Sequence, residues 1–359
     1  MPENTVFISA VQSSMPKSYN AMEVCNAIYP ESLVGRRAAR LAQLLTRKID
    51  VPTRSLVIDP SLLPTKTLSD LKFEPKQWGM DTIQSLMDSS GIRDIGFITV
   101  AYNTSSSSEI LPNLAVQISQ GLDLKLDAMP EVLPFYGCAA GVQAISSAVE
   151  YCKRNNRAAL VFAFEHCSWL LNPITDDDDP LFLENLKANL LFNDGAVALM
   201  ITPGHMLDEP SKRGAMRITD VAMGYTPGDA IGMKRGHFLV GDKVAEVMPQ
   251  MVSDKIIKPM LAKHALLPEQ IDEWSIHQGG LTVLSKFLNE SVLGLSEDQI
   301  EPSKEMFKRF GNFSCPSCLF VLDDHFARGL GAKAGARGMV VGFGAGYYYG
   351  AVMYERTSA

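Results

Sequence analysis

The residue best suited to chemistry in this sequence is Cys138, which lies in the segment FYGCAAG at residues 135–141. An apolar stretch precedes it, and afterwards apolar residues recur three and four positions apart, which is typical of a helix. At a helix N-terminus the free N–H groups and the helix dipole stabilise a thiolate. We therefore expect the pKa of Cys138 to fall below its usual value of about 8.5. The alternative is a small buried residue, because free cysteine is often buried.

Two further polar residues stand at ends of predicted elements, His277 after a short strand and Asn312 before a helix, with glycine close to each. A histidine keeps a nearby thiol ionised or accepts its proton. An imidazole N–H and a carboxamide N–H are suitable donors to a thioester oxygen that gains negative charge. Each residue alone has an ordinary explanation, a hydrogen-bonded core histidine and a helix cap. The combination with Cys138 is more specific than any member.

The elements that must position these residues occur twice along the chain. Each half shows a strand, a polar loop, a helix, a glycine-flanked polar residue, a second helix and a buried strand, ending in AALVFAFE at 158–165 and GMVVGFGAG at 338–346. Strands that alternate with helices and are almost continuously apolar predict an α/β protein with covered sheets. We expect an N-terminal half at 1–203 with the nucleophile, and a C-terminal half at 204–359 with His277 and Asn312.

Composition excludes several classes of protein. The 359 residues carry a formal net charge of −7, which argues against a nucleic-acid binder. The N-terminal residues lack the pattern of a secretory signal, and no apolar run approaches the roughly 20 residues of a membrane span. Six scattered cysteines fit a reducing compartment. These features predict a cytoplasmic protein without a membrane span.

Five motifs in one order resemble a known family: GCAAG around Cys138, LFNDGAVAL at 191–199, IHQGG with His277, FGNFSCPS with Asn312 and GFGAG at 342–346. The set is similar to the thiolase-superfamily condensing enzymes, in the branch of type III polyketide synthases and ketoacyl-acyl-carrier-protein synthase III. The resemblance implies a thiolase-like five-layered αβαβα fold and a homodimer. It also implies an acyltransferase that uses acyl-CoA, malonyl-CoA or acyl-carrier-protein thioesters and needs no other cofactor.

The resemblance also implies roles. Cys138 would carry the acyl group, and His277 and Asn312 would stabilise the enolate in a Claisen condensation that makes a polyketide or fatty-acid-derived product, of pyrone or resorcinol type. Backbone N–H groups of Cys138 and of the Gly344 region would form the oxyanion hole. The FGNFSCPS segment and E-H-C-S at 165–168 are similar to type III polyketide synthases, whereas His277-Gln278 and the ending GAGYYYG are closer to ketoacyl synthase III.

Other reactions stay open on the sequence alone. The three residues would also suit non-decarboxylative joining of two acyl chains, plain acyl transfer, or a cysteine hydrolase with the same order of Cys, His and Asn. A non-catalytic partner of a ketosynthase-like heterodimer is a further alternative. The carrier, the chain length and the mode of cyclisation depend on the shape of the cavity.

Secondary candidates surround this set. The loop SSSSEILP matches the family segment at the dimer interface, where Leu111 would enter the partner's cavity and Glu109 would be a general base or simply a surface residue. Cys167 would line the acyl cavity or fill the core. Cys315 and Cys318 have C-x-x-C spacing but lack a second pair at zinc-finger spacing, so we predict no metal site. Two groups of basic residues would either contact the phosphates of a coenzyme or carrier protein or simply face solvent. One is a helix face with Arg36, Arg37, Arg40, Arg47 and Lys48, and the other is a loop with Lys234, Arg235 and His237.

Overall fold

The computed structural model of the protein describes residues 5–70, 74–107, 109–208, 214–228, 231–241, 243–329, 333 and 335–357. The strands are β1 (Val6–Ser14), β2 (Ser18–Asn20), β3 (Thr53–Ser55), β4 (Ile95–Tyr102), β5 (Glu131–Pro134), β6 (Ala158–Glu165), β7 (Gly195–Pro203), β8 (Met216–Tyr225), β9 (Ile231–Lys234), β10 (His237–Val240), β11 (Glu273–Ile276), β12 (Arg337–Phe343) and β13 (Tyr348–Arg356). The α-helices are α1 (Ala21–Ile28), α2 (Glu31–Ile49), α3 (Pro75–Ser90), α4 (Leu114–Gly121), α5 (Ala140–Asn155), α6 (Phe182–Leu191), α7 (Val244–Val252), α8 (Lys258–Lys263), α9 (Leu281–Ser285), α10 (Glu297–Phe310) and α11 (Ser317–Arg328).

Within the described ranges, nine strands form one sheet in the order β11-β12-β13-β8-β1-β7-β6-β4-β5. Its two parts join where β1 pairs with β8 through only two residue pairs, Phe7 with Arg217 and Ile8 with Met216. The remaining described strands form two small antiparallel pairs, β2 with β3 across α1 and α2, and the hairpin of β9 and β10.

The two parts of the sheet repeat one topology. In the first, β1 pairs antiparallel with β7, β7 antiparallel with β6, and β6 parallel with β4. In the second, β8 pairs antiparallel with β13, β13 antiparallel with β12, and β12 parallel with β11. The predicted pseudo-duplicated halves are therefore confirmed. The boundary at residue 203 falls between β7 and β8, and we keep the division into 1–203 and 204–359 as a proposal.

Successive side chains along the buried strands point to opposite faces of the sheet, and this alternation explains the layers. In β6, Val161 faces a central cluster that contains α5 and α11, whereas Leu160 and Phe162 face the outer helices α3 and α4. In β12, Val340 faces the central cluster and Met339 faces the cluster of the second outer helix layer. Both faces of each half-sheet are thus covered, which gives the predicted αβαβα order and places α5 and α11 at its centre.

Some predicted elements differ in detail. A π-helical turn at Ser253–Ile257 separates α7 from α8, and a 3₁₀ turn at Lys286–Leu288 follows the short α9. The strand expected over 338–346 ends at Phe343, because the Gly344 N–H turns back to the Tyr348 carbonyl. No helix in the described ranges has the length and apolar character needed to cross a membrane.

Candidate active site

Cys138 lies where the chain passes from β5 into the central helix α5. The residues Gly137–Ala139 form a 3₁₀ turn and α5 follows from Ala140, so the predicted strand, cysteine and helix are all present. Cys138 is buried, and its Sγ is 3.6 Å from Ser314 Oγ. The nucleophile candidate therefore sits at the centre of the five layers, where two half-sheets and two helices meet.

A cavity of about 310 Å³ reaches Cys138. Polar side chains lie only around the sulfur, and the remaining walls are mostly apolar. The lining side chains and backbone come from Asn103, Thr104, Phe135, Gly137, Cys138, Leu170, Ile231, Gly232, Met233, Phe238, Ser314, Ala345 and Gly346. Part of this wall is the hairpin of β9 and β10, for which the sequence predicted only a basic loop facing phosphates or solvent. The arrangement suits a reactive sulfur at the end of an apolar chamber.

The electrostatics of Cys138 differ from the expectation. Burial raises the pKa of its thiol to about 12, and the Glu165 carboxylate acts in the same direction, whereas contact with Ser314 opposes both. We expected a lowered pKa from the helix N-terminus, and this expectation was wrong for the unliganded chain. The reason is that α5 begins two residues after the sulfur, so removal of the thiolate from water outweighs the helix dipole.

His277 follows β11 directly, and its backbone N–H donates to the Val341 carbonyl at 2.9 Å. The ring is buried, meets Phe343 edge-on with centroids 5.3 Å apart, and has no hydrogen-bond partner for Nδ1 among the described residues. Burial lowers the pKa of His277 to about 3. The imidazole is therefore neutral, and it can accept a proton but does not supply a standing cation for a thiolate.

Asn312 lies just before α11, and its carboxamide has a defined orientation. Its Oδ1 accepts from the Ser314 backbone N–H at 2.7 Å and from Ser317 Oγ at 3.1 Å. With the oxygen engaged by these donors, the Nδ2 group is the part left to donate elsewhere. The alternative reading, a helix cap, was wrong, because the N-cap of α11 is Pro316; the two hydrogen bonds instead fix which end of the Asn312 amide is presented as a donor.

Two residues connect these three groups. Ser314 contacts Cys138 through its hydroxyl and Asn312 through its backbone. Gly344 follows Phe343, the residue against His277, and a Cβ built on Gly344 would lie 2.6 Å from the Cys138 nitrogen and 3.0 Å from its sulfur. The structure therefore brings the first-half cysteine close to the second-half segments that carry His277 and Asn312.

The proposed oxyanion hole needs one correction. The Gly344 N–H donates to the Tyr348 carbonyl at 3.0 Å, so it is not available as the second donor. Gly344 instead matters because it has no side chain and leaves room for the sulfur and backbone of Cys138. The Cys138 N–H remains the donor that we assign to the oxyanion hole.

A buried carboxylate next to the sulfur was not identified from the sequence. Glu165 accepts from the Asn103 and Thr104 backbone N–H groups at 3.2 and 2.8 Å, from both of their side chains, and from the Cys315 N–H at 3.4 Å. Burial raises the pKa of Glu165. Asn103 in turn donates to Ser314 Oγ at 3.4 Å. The sequence feature that could have identified Glu165 is its position as a single acidic residue at the end of an entirely apolar strand.

An aromatic pair beside Asn312 was also missed. Phe192 forms an isolated parallel bridge with Asn312, and its ring lies 4.6 Å from that of Phe238, which lines the cavity. The LFNDG motif was noted in the sequence, but its phenylalanine had no role there. Its position between Asn312 and the hairpin connects the cavity wall with the carboxamide.

Within a single subunit, Glu109 and Leu111 lie outside the cavity that reaches Cys138. Glu109 is exposed. Its backbone N–H donates to Ser107 Oγ, and its carbonyl accepts from Ser107 Oγ and from Gln117 Nε2 at 3.0 Å. Leu111 is 84% exposed, and its neighbour Ile110 is 77% exposed. A role of either residue at the sulfur therefore requires a second subunit, and both assignments stay predictions.

The remaining cysteines are buried in the core. Cys167 packs with Ala188 and Phe192 and is not among the described residues lining the cavity, where Leu170 of the same turn takes the expected place. Cys315 donates to the Ala101 and Phe164 carbonyls at 3.6 Å each, and Cys318 belongs to the central cluster. These contacts give both members of the C-x-x-C pair a structural role.

A second opening lies beside His277 and Asn312. This cavity of about 330 Å³ includes Gly279 and Gly280, next to His277, and Leu191, whose carbonyl accepts the Asn312 N–H at 3.4 Å. Lys48 from α2 and Lys187 from α6 stand at its rim. One member of the predicted basic helix face thus borders an opening towards the candidate site.

Several other predicted basic residues are engaged elsewhere. Arg36 pairs with Glu31 at 3.0 Å, and Arg37 lies 3.5 Å from Asp177 and 3.8 Å from Asp178. In the hairpin, Arg235 contacts both oxygens of Asp179 at 2.8 Å, and His237 Nδ1 is 3.0 Å from the Asn172 carbonyl. The acidic turn at 176–179 is therefore held between α2 and the hairpin rather than simply solvated.

Comparison with known proteins agrees with this geometry. Residues 261–356 match the family model for the C-terminal part of 3-oxoacyl-[acyl-carrier-protein] synthase III. The chain is 28% identical over 270 residues to the alpha-pyrone synthesis polyketide synthase-like protein Pks18 of Mycobacterium tuberculosis. This match covers 73% of the chain and 65% of Pks18. It is 24% identical over 266 residues to type III polyketide synthase B of Arabidopsis thaliana, covering 71% of this chain and 66% of that protein. The chain thus spans slightly less than two thirds of these relatives.

Solved structures resemble the whole chain. The C-terminal type III polyketide synthase domain of Steely1 from Dictyostelium superposes with a TM-score of 0.80 at 18% identity, over 99% of this chain and all of that one. The 1,3,6,8-tetrahydroxynaphthalene synthase of Streptomyces coelicolor gives a TM-score of 0.77 at 22% identity with the same coverage. These similarities confirm the predicted fold.

Proposed function

We propose that this chain, which has the thiolase fold and resembles type III polyketide synthases, is a condensing acyltransferase that joins acyl thioesters by Claisen condensation. The observation that carries the proposal is the position of Cys138 at the end of an apolar cavity, beside the segments that present His277 and Asn312. A sulfur in such a chamber suits the transfer and holding of an apolar acyl group.

The first step would be acylation of Cys138. The neutral His277 imidazole accepts the thiol proton, the sulfur attacks the thioester carbonyl, and the departing CoA or carrier sulfur takes that proton. The Cys138 N–H donates to the carbonyl oxygen as it becomes negative. A raised thiol pKa suits this order, because the sulfur then loses its proton only when His277 accepts it.

The second step would be condensation. The carbon–carboxylate bond of a malonyl thioester breaks, carbon dioxide leaves, and the electron pair remains on the enolate. The Asn312 Nδ2–H and the His277 imidazole N–H stabilise the enolate oxygen. The enolate carbon then attacks the Cys138 thioester, which forms the new carbon–carbon bond and frees the sulfur.

The substrates that we infer are acyl-CoA and malonyl-CoA, with an acyl carrier protein as the alternative donor. The opening at Gly279 and Gly280 would admit the pantetheine arm, with Lys48 and Lys187 near its phosphates. The relative Pks18 is named for alpha-pyrone synthesis, and on this basis we propose a polyketide product of pyrone or related resorcinol type. We also propose a homodimer in which Leu111 meets the partner subunit.

Intact-mass spectrometry after incubation with acyl-CoA, followed by addition of malonyl-CoA, tests the proposal. We expect an acyl adduct on the wild type, no adduct on Cys138→Ala, and release of a longer ketide or pyrone once malonyl-CoA is added. Cys152→Ala is the matched control, since Cys152 is a buried thiol in α5, the helix that follows Cys138, and its Sγ donates to the Ile201 carbonyl at 3.3 Å.

Other outcomes would identify the alternatives. An adduct that yields only free acid would favour hydrolysis, and an adduct passed to an amine or alcohol would favour plain acyl transfer. Joining of two acyl chains without malonyl-CoA would favour non-decarboxylative condensation. Absence of any adduct with CoA or carrier donors would favour a non-catalytic partner subunit.

A further inference from the structure

We propose that Asn193, braced by Arg54, is a positioning residue that sets where the Asn312 carboxamide points. This inference rests on the proposed function, because it assigns Asn312 to the enolate. It adds a second layer of residues, from the turn between α6 and β7 and from β3, to the reaction site.

Asn193 holds the segment in front of α11 at two points. Its backbone N–H donates to the Asn312 carbonyl at 2.7 Å, and its side-chain Nδ2 donates to the Phe310 carbonyl. Between these two anchors lies Gly311, with φ of +77°, and a Cβ there would be 2.6 Å from Asn193 Nδ2. The segment from Phe310 to Asn312 is therefore shaped around the Asn193 side chain.

Arg54 fixes Asn193 in turn. Its Nε donates to Asn193 Oδ1 at 2.6 Å, and its two terminal nitrogens donate to the Asn189 carbonyl at 3.1 Å and to the Phe192 carbonyl. Arg54 is buried, and burial lowers its pKa to about 10 while the Asp194 carboxylate acts in the opposite direction. Each Arg54 nitrogen is thus committed to the turn that carries Asn193.

The orientation of Asn312 depends on this brace. Its Oδ1 is held by Ser314 and Ser317 at the start of α11, so the amide plane follows that helix on one side. The backbone on its other side is held by Asn193. A shift of that backbone would move Nδ2 relative to the enolate oxygen, and a misplacement of about 1 Å can cost about a hundredfold in rate.

The test compares two reactions of the same protein. Acylation of Cys138 does not use Asn312, whereas decarboxylation of malonyl-CoA does under the proposed function. Asn193→Asp retains the oxygen that accepts from Arg54 but replaces the Nδ2 donor by an oxygen facing the Phe310 carbonyl. We expect malonyl-CoA decarboxylation to fall about a hundredfold in kcat, with KM and the acylation rate changed by less than about threefold.

Asn189→Asp is the matched control. Asn189 is equally buried in α6, and its Nδ2 donates to Tyr29 Oη at 2.8 Å and to Asn185 Oδ1 at 3.2 Å. Only its backbone carbonyl, which the substitution retains, accepts from Arg54. We expect this variant to lose thermal stability to a similar degree but to retain decarboxylation. If Asn193→Asp gives no folded protein, Asn193→Ser is tested in the same two assays. We expect the same result, a loss of decarboxylation with acylation retained.

Two results would overturn the inference by itself, and a third would overturn it together with the proposed function. One is Asn193→Asp or Asn193→Ser with normal decarboxylation while Asn312→Ala has none, which rejects the positioning role alone. The other is an equal loss of acylation and decarboxylation in the Asn193 and Asn189 variants, which indicates a general defect of folding. If Asn312→Ala itself decarboxylates normally, the enolate role in the proposed function fails and the positioning role fails with it.

Discussion

At the scale of single residues, the site depends on how closely backbone and side chains surround one sulfur. Gly344 and Ser314 approach Cys138 from the second half of the chain, and Glu165 lies behind Ser314. Burial removes the thiol from water and raises its pKa, Glu165 acts in the same direction and the Ser314 hydroxyl opposes both, so the free sulfur is held as a neutral thiol. The proposed chemistry therefore requires a proton acceptor, and the neutral His277 fits that role.

We predict that Gly344→Ala lowers the rate of Cys138 acylation by about a hundredfold or more, because the added methyl group would press on the cysteine backbone and sulfur. Intact mass against time measures the rate. Gly232→Ala is the control, since Gly232 lines the same cavity and a Cβ there meets nothing within 4 Å. Normal acylation in Gly344→Ala would contradict the close approach.

We predict that Glu165→Gln destabilises the protein by about 1–3 kcal/mol, because one amide N–H₂ group would face backbone and side-chain donors of Asn103 and Thr104. Urea unfolding measures the free energy. Glu150→Gln serves as the control, because the Glu150 side chain is 53% exposed, and its change should stay within about 0.5 kcal/mol. Equal stability of both variants would refute the inferred hydrogen-bond network.

At the scale of elements, the polar loop after β4 and the strand β5 both present large apolar side chains to solvent. Ile110 and Leu111 lie on the loop, and Met129 and Phe135 flank β5 with exposures of 87% and 72%. Phe135 also lines the Cys138 cavity. Exposed apolar groups of this size favour a protein partner, which supports a second subunit near the cavity.

We predict that Leu111→Arg shifts the protein from dimer to monomer, because a cation would have to be buried in an apolar interface. Size-exclusion chromatography with light scattering measures the mass. Leu267→Arg is the control, since Leu267 is 58% exposed on a different part of the chain, before β11. An unchanged mass for Leu111→Arg, or a monomer for both variants, would argue against an interface at this loop.

At the scale of the whole molecule, buried titratable groups set the response of stability to pH. Burial lowers the pKa of His166 and of His277 from 6.5 to about 3. The unfolded chain then binds more protons than the folded one between those values, so stability decreases as the pH falls below 6.5. Burial raises the pKa of Asp194 to about 6, and this shift acts in the opposite direction between about pH 6 and 3.8.

We predict that the free energy of unfolding decreases by roughly 3 kcal/mol when the pH is lowered from 7.5 to 5. Protonation of the two histidines in the unfolded chain lowers it by about 4 kcal/mol, and protonation of Asp194 in the folded chain raises it by about 1 kcal/mol. Urea unfolding at both pH values measures it. His166→Phe keeps a ring against Trp78, where the centroids lie 5.3 Å apart, and should halve the histidine contribution. A flat profile in the wild type would contradict the burial of these rings as neutral groups.

The sequence by itself determined the buried strands, the duplicated α/β order and the placement of Cys138, His277 and Asn312 at element ends. These features follow from apolar spacing, glycine and helix-start residues, which act over a few neighbouring positions. The almost continuously apolar segment 158–165 was therefore predicted to the residue as β6, and the apolar spacing after Cys138 correctly predicted the helix α5.

Only the tertiary structure decided the state of the sulfur and the partners of each group. The pKa of Cys138, the engagement of the Gly344 N–H by Tyr348 and the displacement of Cys167 from the cavity depend on packing between segments. The Arg54 and Asn193 brace likewise joins residues 139 positions apart. Desolvation and long-range hydrogen bonding arise from which segments meet in space, and local residue spacing does not encode that meeting.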